Sequence, residues 1–248
     1  MRFSLLLLLT AVTGLFSQAP YRMVENTIFG PGETFVFDIK YGFLPGGTAR
    51  LEIADTLRVN GSLCHQIRAI TTSNATVSVF YQVRDTNVSY MDVTGLYSHG
   101  IRKYIHEGSY IRNKVTVMDP VRGIAITDGK EYAAAPFVQD ALSAFYYFRL
   151  LAVEDSIDIN CFDDKKNYPL RIYVRKHETI KTPLGKFRCR RLQPALTTSG
   201  IFLKNGEMSL WMTDDFKRLP VKLQFKIPYL GNITCNLIEY RPGLLINQ

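Results

Sequence analysis

The sequence predicts a mostly β protein: a large curved antiparallel sheet or half-open barrel, with one aromatic-rich helix packed on its concave side. Apolar and polar residues alternate along many short runs, such as TFVFDIKY at 34–41 and VSVFYQVRD at 77–85. A period of two is typical of strands that bury one face. Turn formers such as Pro45-Gly46-Gly47 and Pro183-Leu184-Gly185 separate the runs, which favours a series of hairpins.

The helix is predicted in the segment APFVQDALSAFYYFRLLAVED at 135–155. Helical spacing places Phe137, Ala141, Phe145, Phe148 and Ala152 on one face of a helix of about four turns, which begins near Phe137 or Asp140. A lone apolar helix in a β protein must bury that face against the sheet. Two interpretations stay open: the aromatic residues form core, or they line a cavity for an apolar ligand. The candidate lining residues are Phe137, Leu142, Phe145 and Phe148.

The N-terminus predicts a secretory signal peptide over residues 1–19. Arg2 precedes an apolar run at 5–16, and the small-residue site Ser17-Gln18-Ala19 follows. Residues 20–248 are then a single β-rich exported domain, which we expect in the periplasm. The apolar run is shorter than the roughly 20 residues that a membrane-spanning helix needs, and no later segment is apolar enough to span. Because the first cysteine is Cys64, a lipoprotein anchor is not expected.

The charge of the chain indicates which classes of partner the protein could bind. The whole chain carries a formal net charge of +8, which in an exported protein favours anionic lipids, lipopolysaccharide or acidic glycans over nucleic acid. Two adjacent strand-like runs contain a basic stripe that is either a solvated outer face or a contact for an anionic group: Arg171, Arg175, Lys186, Arg188 and Arg190.

The four cysteines, Cys64, Cys161, Cys189 and Cys235, allow a disulfide or small buried thiols.

No catalytic residue, metal site or cofactor is predicted. Motifs of the G-x-S-x-G, P-loop and H-E-x-x-H types are absent from the sequence, and the four histidines are scattered without metal-binding spacing. Asp214 and Asp215 form an adjacent acid pair between two alternating runs at 208–213 and 220–227. Adjacent residues on an extended chain point in opposite directions, so this pair predicts the turn of a hairpin rather than an acid/base site.

Four stretches together resemble a bacterial family of exported proteins that is itself a domain of unknown function. They are GETFVFDIKYGFLPGGTARLEI, QDALSAFYYFRLL, ETIKTPLGKFRCRRLQP and GEMSLWMTDDFKRLPVKLQFKI. The LWMTDD…LPVKL hairpin is also similar to the tryptophan-containing hairpin of periplasmic lipoprotein carriers, which are half-open barrels that hold acyl chains. The family resemblance implies an exported β-rich protein and supplies no catalytic residues.

Three functions remain open on the sequence. The first is a non-enzymatic periplasmic binding or chaperone-like module with a cavity for a lipid or another apolar ligand. The second is a structural or assembly protein of the cell envelope, which binds protein or glycan by its surface and has a packed interior. The third is an enzyme that acts on envelope polymers.

Overall fold

The computed structural model describes residues 22–195, 206–227 and 231–246. Within these ranges, fourteen strands form one antiparallel sheet, and two short helices are present. The strands are β1 (Thr34–Tyr41), β2 (Leu44–Val59), β3 (Ser62–Ser73), β4 (Arg84–Asp92), β5 (Ser98–Glu107), β6 (Tyr110–Asp119), β7 (Ile124–Thr127), β8 (Lys130–Ala133), β9 (Ser156–Asp163), β10 (Lys166–Thr182), β11 (Gly185–Ala195), β12 (Glu207–Thr213), β13 (Pro220–Ile227) and β14 (Gly231–Arg241). The helices are α1 (Ala75–Ser78) and α2 (Ala141–Phe148). The predicted signal peptide lies outside the described residues.

The sheet is a meander in two halves. Strands β1 to β8 follow one another in one direction and β14 back to β9 in the other, and β1 pairs with β14 in the middle. A sheet this wide curls rather than staying flat, and two lysines hold its edge strand β9 near β5 and β6. Lys103 Nζ lies 2.7 Å from Asp163, and Lys114 Nζ lies 3.0 Å from Asp164. The predicted fold class, a curved β sheet with a helix inside, is confirmed.

The segment before α2 links the two halves of the sheet. The amide of Ser98 donates to the carbonyl of Val138 over 3.0 Å, and the amide of Phe162 donates to the carbonyl of Gln139 over 2.8 Å. Asp140 then caps α2, because its carboxylate accepts the amides of Leu142 and Ser143 at 2.8 and 3.1 Å. Residues 138–139 therefore connect the two halves of the sheet, and Asp140 starts the helix.

The predicted length of the helix is wrong. Helix α2 has eight residues, Ala141–Phe148, which is about two turns instead of four. Phe137 lies outside it, with a φ of 51° that a right-handed helix does not allow. The predicted face is correct only in part: Phe148 is buried and Phe145 partly buried, but Ala141 and Ala152 are exposed. The buried residues of α2 are Ser143, Ala144, Tyr146 and Phe148. The start of α2 agrees with the Asp140 alternative, since Asp140 is the N-cap. The helix ends at Phe148 because the amides of Leu150 and Leu151 bond to carbonyls only three residues back.

Helix α2 is packed on both sides. Toward one half of the sheet, Ala144 and Phe148 belong to a cluster with Ile159, Cys161, Ile172, Leu192, Leu210 and Met212. Toward the other half, Tyr146 belongs to a cluster with Phe29, Ile53, Ile67, Met91 and Leu96. A short helix that contacts both halves of the sheet fills the space between them. In the described part of the chain, the aromatic residues of α2 serve mainly as core.

A buried ion pair lies at the end of α2. Arg149 Nη1 is 2.6 Å from Glu33 Oε2, and both side chains are 0% exposed. The second guanidinium nitrogen donates to Glu33 Oε1 and to the carbonyl of Lys217, both at 3.0 Å. The guanidinium also lies 5.2 Å from the ring centre of Phe35, a cation–π distance. Arg149 thus joins the helix to β1 and to the β12–β13 turn.

The four cysteines are buried and unpaired. Of the two alternatives, small buried thiols or a disulfide, the structure therefore has the buried thiols. Burial raises the pKa of Cys64 to about 12 and the pKa values of Cys189 and Cys235 to about 11. Burial raises the pKa of Cys161 as well. Because the thiolate is the reactive form, these groups act as small apolar core residues.

His65 is expected to make the fold sensitive to acid. It is 1% exposed, neither ring nitrogen has a hydrogen-bond partner among the described residues, and burial lowers its pKa to about 4. The folded pKa lies below the unfolded value of about 6.5. His65 therefore favours folding above pH of about 6.5, and this contribution is lost as the pH falls toward 4. The loss should reach about 3 kcal/mol.

Urea unfolding of wild type, His65→Leu and the exposed control His177→Gln at pH 7 and pH 4.5 measures this effect. The expected result is that His65→Leu loses less stability on acidification than the other two proteins. Equal losses in all three proteins would show that His65 is not held neutral by the core.

Candidate functional site

An open cleft of about 290 Å³ lies beside the C-terminal end of α2. Its apolar wall is formed by residues from α2, the loop after it, β11, β12 and the β12–β13 turn: Phe148, Leu151, Val153, Leu192, Met212 and Phe216. Its polar wall is formed by Arg190 and by residues of the β12–β13 turn: Thr213, Asp214, Asp215 and Arg218. A concave site in which apolar side chains meet polar and charged groups can bind a small amphiphilic ligand.

Two arginines in the cleft hold the loop that follows α2. Arg190 donates to the carbonyl of Val153 over 2.5 Å and to that of Glu154 over 3.3 Å. Arg218 donates to the carbonyls of Arg149 and Leu151. Burial lowers the pKa of Arg218, and the nearby charge of Arg190 lowers it further. The cleft thus contains these two guanidinium groups as well as the carboxylates of Asp214 and Asp215.

The acid pair has the predicted position in a turn. Strands β12 and β13 pair as a hairpin, and Asp215 caps its turn by accepting the amides of Lys217 and Arg218, both at 3.0 Å. Asp214 has a separate role, since it lies 3.2 Å from Arg188 and 3.3 Å from His177. The two carboxylates therefore contact different partners, and the hairpin interpretation is confirmed.

The four predicted cavity residues do not share one site. Phe148 lines the cleft. Leu142 packs only toward the cluster around Phe29, while Phe145 contacts both core clusters. The ring of Phe137 lies 4.9 Å from the guanidinium carbon of Arg22, away from the residues that line the cleft. Of the four, Phe148 alone lines the cleft, because the helix is shorter than predicted and is surrounded by core.

The predicted basic stripe is also divided. Arg171 forms a two-point ion pair with Asp158 at 2.8 and 2.6 Å, Arg175 stacks at 4.6 Å on Tyr173, and Lys186 is exposed near the β10–β11 turn. Arg188 contacts Asp214, at the edge of the cleft. The structure brings only Arg190 of this set together with Phe148.

Arg218, Leu151 and Val153 line the cleft and were not predicted as site residues. Arg218 has a φ of 47°, and this left-handed conformation turns the chain at the end of the β12–β13 turn. The sequence signal that could have pointed to it is the pair of cations in DDFKRLP. Such a pair is most often a solvated turn, so the signal is weak.

Clusters of histidine, cysteine and carboxylates that could hold a metal were not found within the described ranges. None of the helices in that part of the chain is long and apolar enough to cross a membrane.

Comparison with known proteins gives the chain a family. Residues 36–238 match the model of a protein family of unknown function, DUF3108. The chain belongs to this family. No curated protein matches it. This DUF3108 protein is similar in fold to a solved β-barrel-like protein of DUF1849 from Brucella abortus. The TM-score is 0.55 at 7% identity, over 85% of this chain and 97% of the other.

A second solved structure, a hypothetical protein from Chlamydia trachomatis, has a TM-score of 0.41 at 7% identity, over 88% of this chain and 94% of that one. The family match and the DUF1849 structure establish an uncharacterised β-rich family with a barrel-like fold. The resemblance predicted from the sequence is thereby confirmed at the level of family and fold.

Proposed function

We propose that this DUF3108 protein is an exported, non-enzymatic binding module of the periplasm, which holds an anionic amphiphile in the cleft beside α2. The observation that carries the proposal is the meeting of an apolar wall, formed by Phe148, Leu192 and Met212, with Arg190 and Arg218. Export is supported by the apolar segment at 5–16 with its small-residue site.

The chemistry of the two walls defines the ligand class. A short alkyl chain would remove apolar surface from water against Phe148, Leu192 and Met212. A carboxylate, sulfate or phosphate group would relieve the repulsion between the charges of Arg190 and Arg218. The cleft, at about 290 Å³, is near the small end of ligand sites. It therefore suits one short chain rather than the several acyl chains of a lipoprotein.

A second candidate function is a structural or assembly protein of the envelope. The filled space between the two halves of the sheet favours it, since Tyr146 and Arg149 are 0% exposed and leave no room for a ligand at that position. In this case the arginines of the cleft only hold the loop after α2, and binding occurs elsewhere on the surface.

Calorimetric titration with decanoate tests the first candidate, with decyltrimethylammonium as a probe of equal chain length and opposite charge. We expect wild type to bind decanoate and to bind the cationic probe much more weakly. Arg190→Gln should weaken decanoate binding about tenfold or more, because a hydrogen bond to a charged group is lost. Arg171→Gln, which removes a surface arginine from another strand, should bind like wild type.

Unfolding midpoints of the two variants show whether Arg190→Gln has disturbed the fold, and Arg190→Lys separates charge from geometry. Partial recovery of binding by the lysine variant supports a contact with the head group. Equal affinity of wild type for the two probes, or no binding of either, would reject the cleft as an amphiphile site and leave the structural role.

A further inference from the structure

Exposed apolar side chains are concentrated at the end of the sheet opposite to α2. In an antiparallel meander every second turn lies at the same end, so the β1–β2 turn, the segment between β3 and β4 and the β5–β6 turn lie together. We call their exposed apolar residues the loop rim: Tyr41, Phe43, Leu44, Val79, Phe80, Tyr81, Tyr110 and Ile111. Phe43 and Phe80 are each 88% exposed.

Direct contacts hold the loops of the rim together. Asn74 Nδ2 donates to the carbonyl of Pro45 over 2.8 Å, and the Asn74 amide donates to the carbonyl of Gly46 over 2.9 Å. The amide of Gly108 donates to the carbonyl of Gln82 over 2.7 Å. These bonds join the three loops into one surface, so the exposed side chains are neighbours and not isolated positions.

The charges around the loop rim are mainly positive. Arg84, Arg112 and Lys226 are exposed at the adjoining strand ends, whereas Lys40, next to Tyr41, is paired with Asp38 over 3.4 Å. The carboxylates of Asp128, Asp163 and Asp164 at this end each contact a lysine. Glu207 is exposed, whereas Glu107 is partly buried, which raises its pKa. The rim is therefore complementary to an anionic surface.

We propose that the loop rim rests on the surface of an anionic lipid bilayer. Phe43 and Phe80 insert among the head groups, the tyrosines lie at the interface, and the neighbouring cations contact lipid phosphates. Tyrosine is enriched at the membrane–water interface because its ring is apolar and its hydroxyl can stay hydrated. Apolar insertion combined with electrostatic attraction is the usual basis of peripheral membrane binding. Protruding tips on separate loops suit a soft bilayer better than a flat protein partner.

This inference is independent of the proposed cleft, which lies at the other end of the sheet. It is tested by flotation with vesicles of equal parts phosphatidylglycerol and phosphatidylcholine, and with vesicles of phosphatidylcholine alone. Wild type should bind the mixed vesicles more tightly. Phe43→Ser/Phe80→Ser should bind the mixed vesicles at least about tenfold more weakly, because two aromatic rings are no longer transferred from water into the bilayer. Val121→Ser/Leu244→Ser is the matched control, since these two side chains are 76% and 79% exposed and belong to neither the loop rim nor the cleft.

Arg84→Gln/Arg112→Gln should weaken binding to the mixed vesicles by about tenfold or more and leave binding to phosphatidylcholine unchanged. All substitutions are at exposed sites, so unfolding midpoints should match wild type. Absence of wild-type binding to the mixed vesicles would overturn the proposal. So would equal binding by Phe43→Ser/Phe80→Ser and Val121→Ser/Leu244→Ser. Sedimentation velocity showing a wild-type dimer that the double serine variant abolishes would assign the rim to self-association instead.

Discussion

Replacing Arg149 by methionine is expected to lower the free energy of unfolding by about 3–5 kcal/mol. The substitution leaves the carboxylate of Glu33, which is 0% exposed, in the core without its cation. Burial raises the pKa of Glu33, and hydrogen bonds from Arg149 oppose that shift. Without Arg149 the carboxylate must be protonated or the site must open to water, and both responses cost stability. Urea unfolding at pH 7 measures the loss.

Two controls make this prediction specific to the buried pair. Arg171→Met breaks an ion pair whose side chains are 52% and 43% exposed, and should cost about 1 kcal/mol or less. Glu33→Leu/Arg149→Met removes both buried charges and should recover much of the stability lost in Arg149→Met, because no charge is left unpaired. A loss of under 1 kcal/mol in Arg149→Met, or no recovery in the double variant, would contradict a buried ion pair between Arg149 and Glu33.

Replacing Trp211 by alanine is expected to cost about 3–5 kcal/mol, as for other large aromatic residues removed from a core. Trp211 is 4% exposed and packs in a cluster with Phe35, Cys189 and Val221. Its indole nitrogen donates to Glu178 over 3.1 Å, and Lys222 Nζ lies 4.7 Å from the ring centre. The alanine variant therefore loses packing, a hydrogen bond and a cation–π contact together.

The neighbouring aspartates provide the comparison for Trp211. Asp214→Asn and Asp215→Asn should each cost about 1 kcal/mol or less, since the first removes a surface ion pair and the second keeps an oxygen that can cap the turn. Denaturant unfolding of the three variants ranks the positions. If either aspartate variant is less stable than Trp211→Ala, the turn has a larger structural role than its contacts indicate.

The strands were largely predictable because alternation acts over neighbouring residues. The β12–β13 hairpin and the β10–β11 turn at Pro183 follow directly from local pattern and turn chemistry. In the segment 77–85, alternation of apolar and polar residues does not correspond to a strand. It alternates like a strand, but Asn74 accepts the amide of Val77 over 2.9 Å and starts the helical turn α1. Phe80 is consequently exposed in the loop rim, where the sequence pattern predicts a strand.

The buried ion pair and the site were less predictable because both depend on residues far apart in the chain. Arg149 and Glu33 are separated by 116 positions, and nothing in either neighbourhood indicates a partner. Arg190 and Phe148 were both candidates, but for different ligands, and only the packing of α2 against β11 places them in one cleft. The length of α2 was overestimated because the helix ends early: Arg190 and Arg218, which are distant in the chain, donate to carbonyls of residues 149–154 and hold them as a loop.

Helix α2 is a fixed part of the core, and we therefore propose that a ligand binds beside the helix and not beneath it. Amide hydrogen exchange of residues 144–149 tests this most directly, with β1 and β14 as the internal reference. If the claim is correct, these amides exchange as slowly as those of the paired β1 and β14 strands, and exchange of the helix requires global unfolding. Exchange by a separate, lower-energy opening of α2, slowed on addition of decanoate, would show a lid over an internal cavity and contradict it.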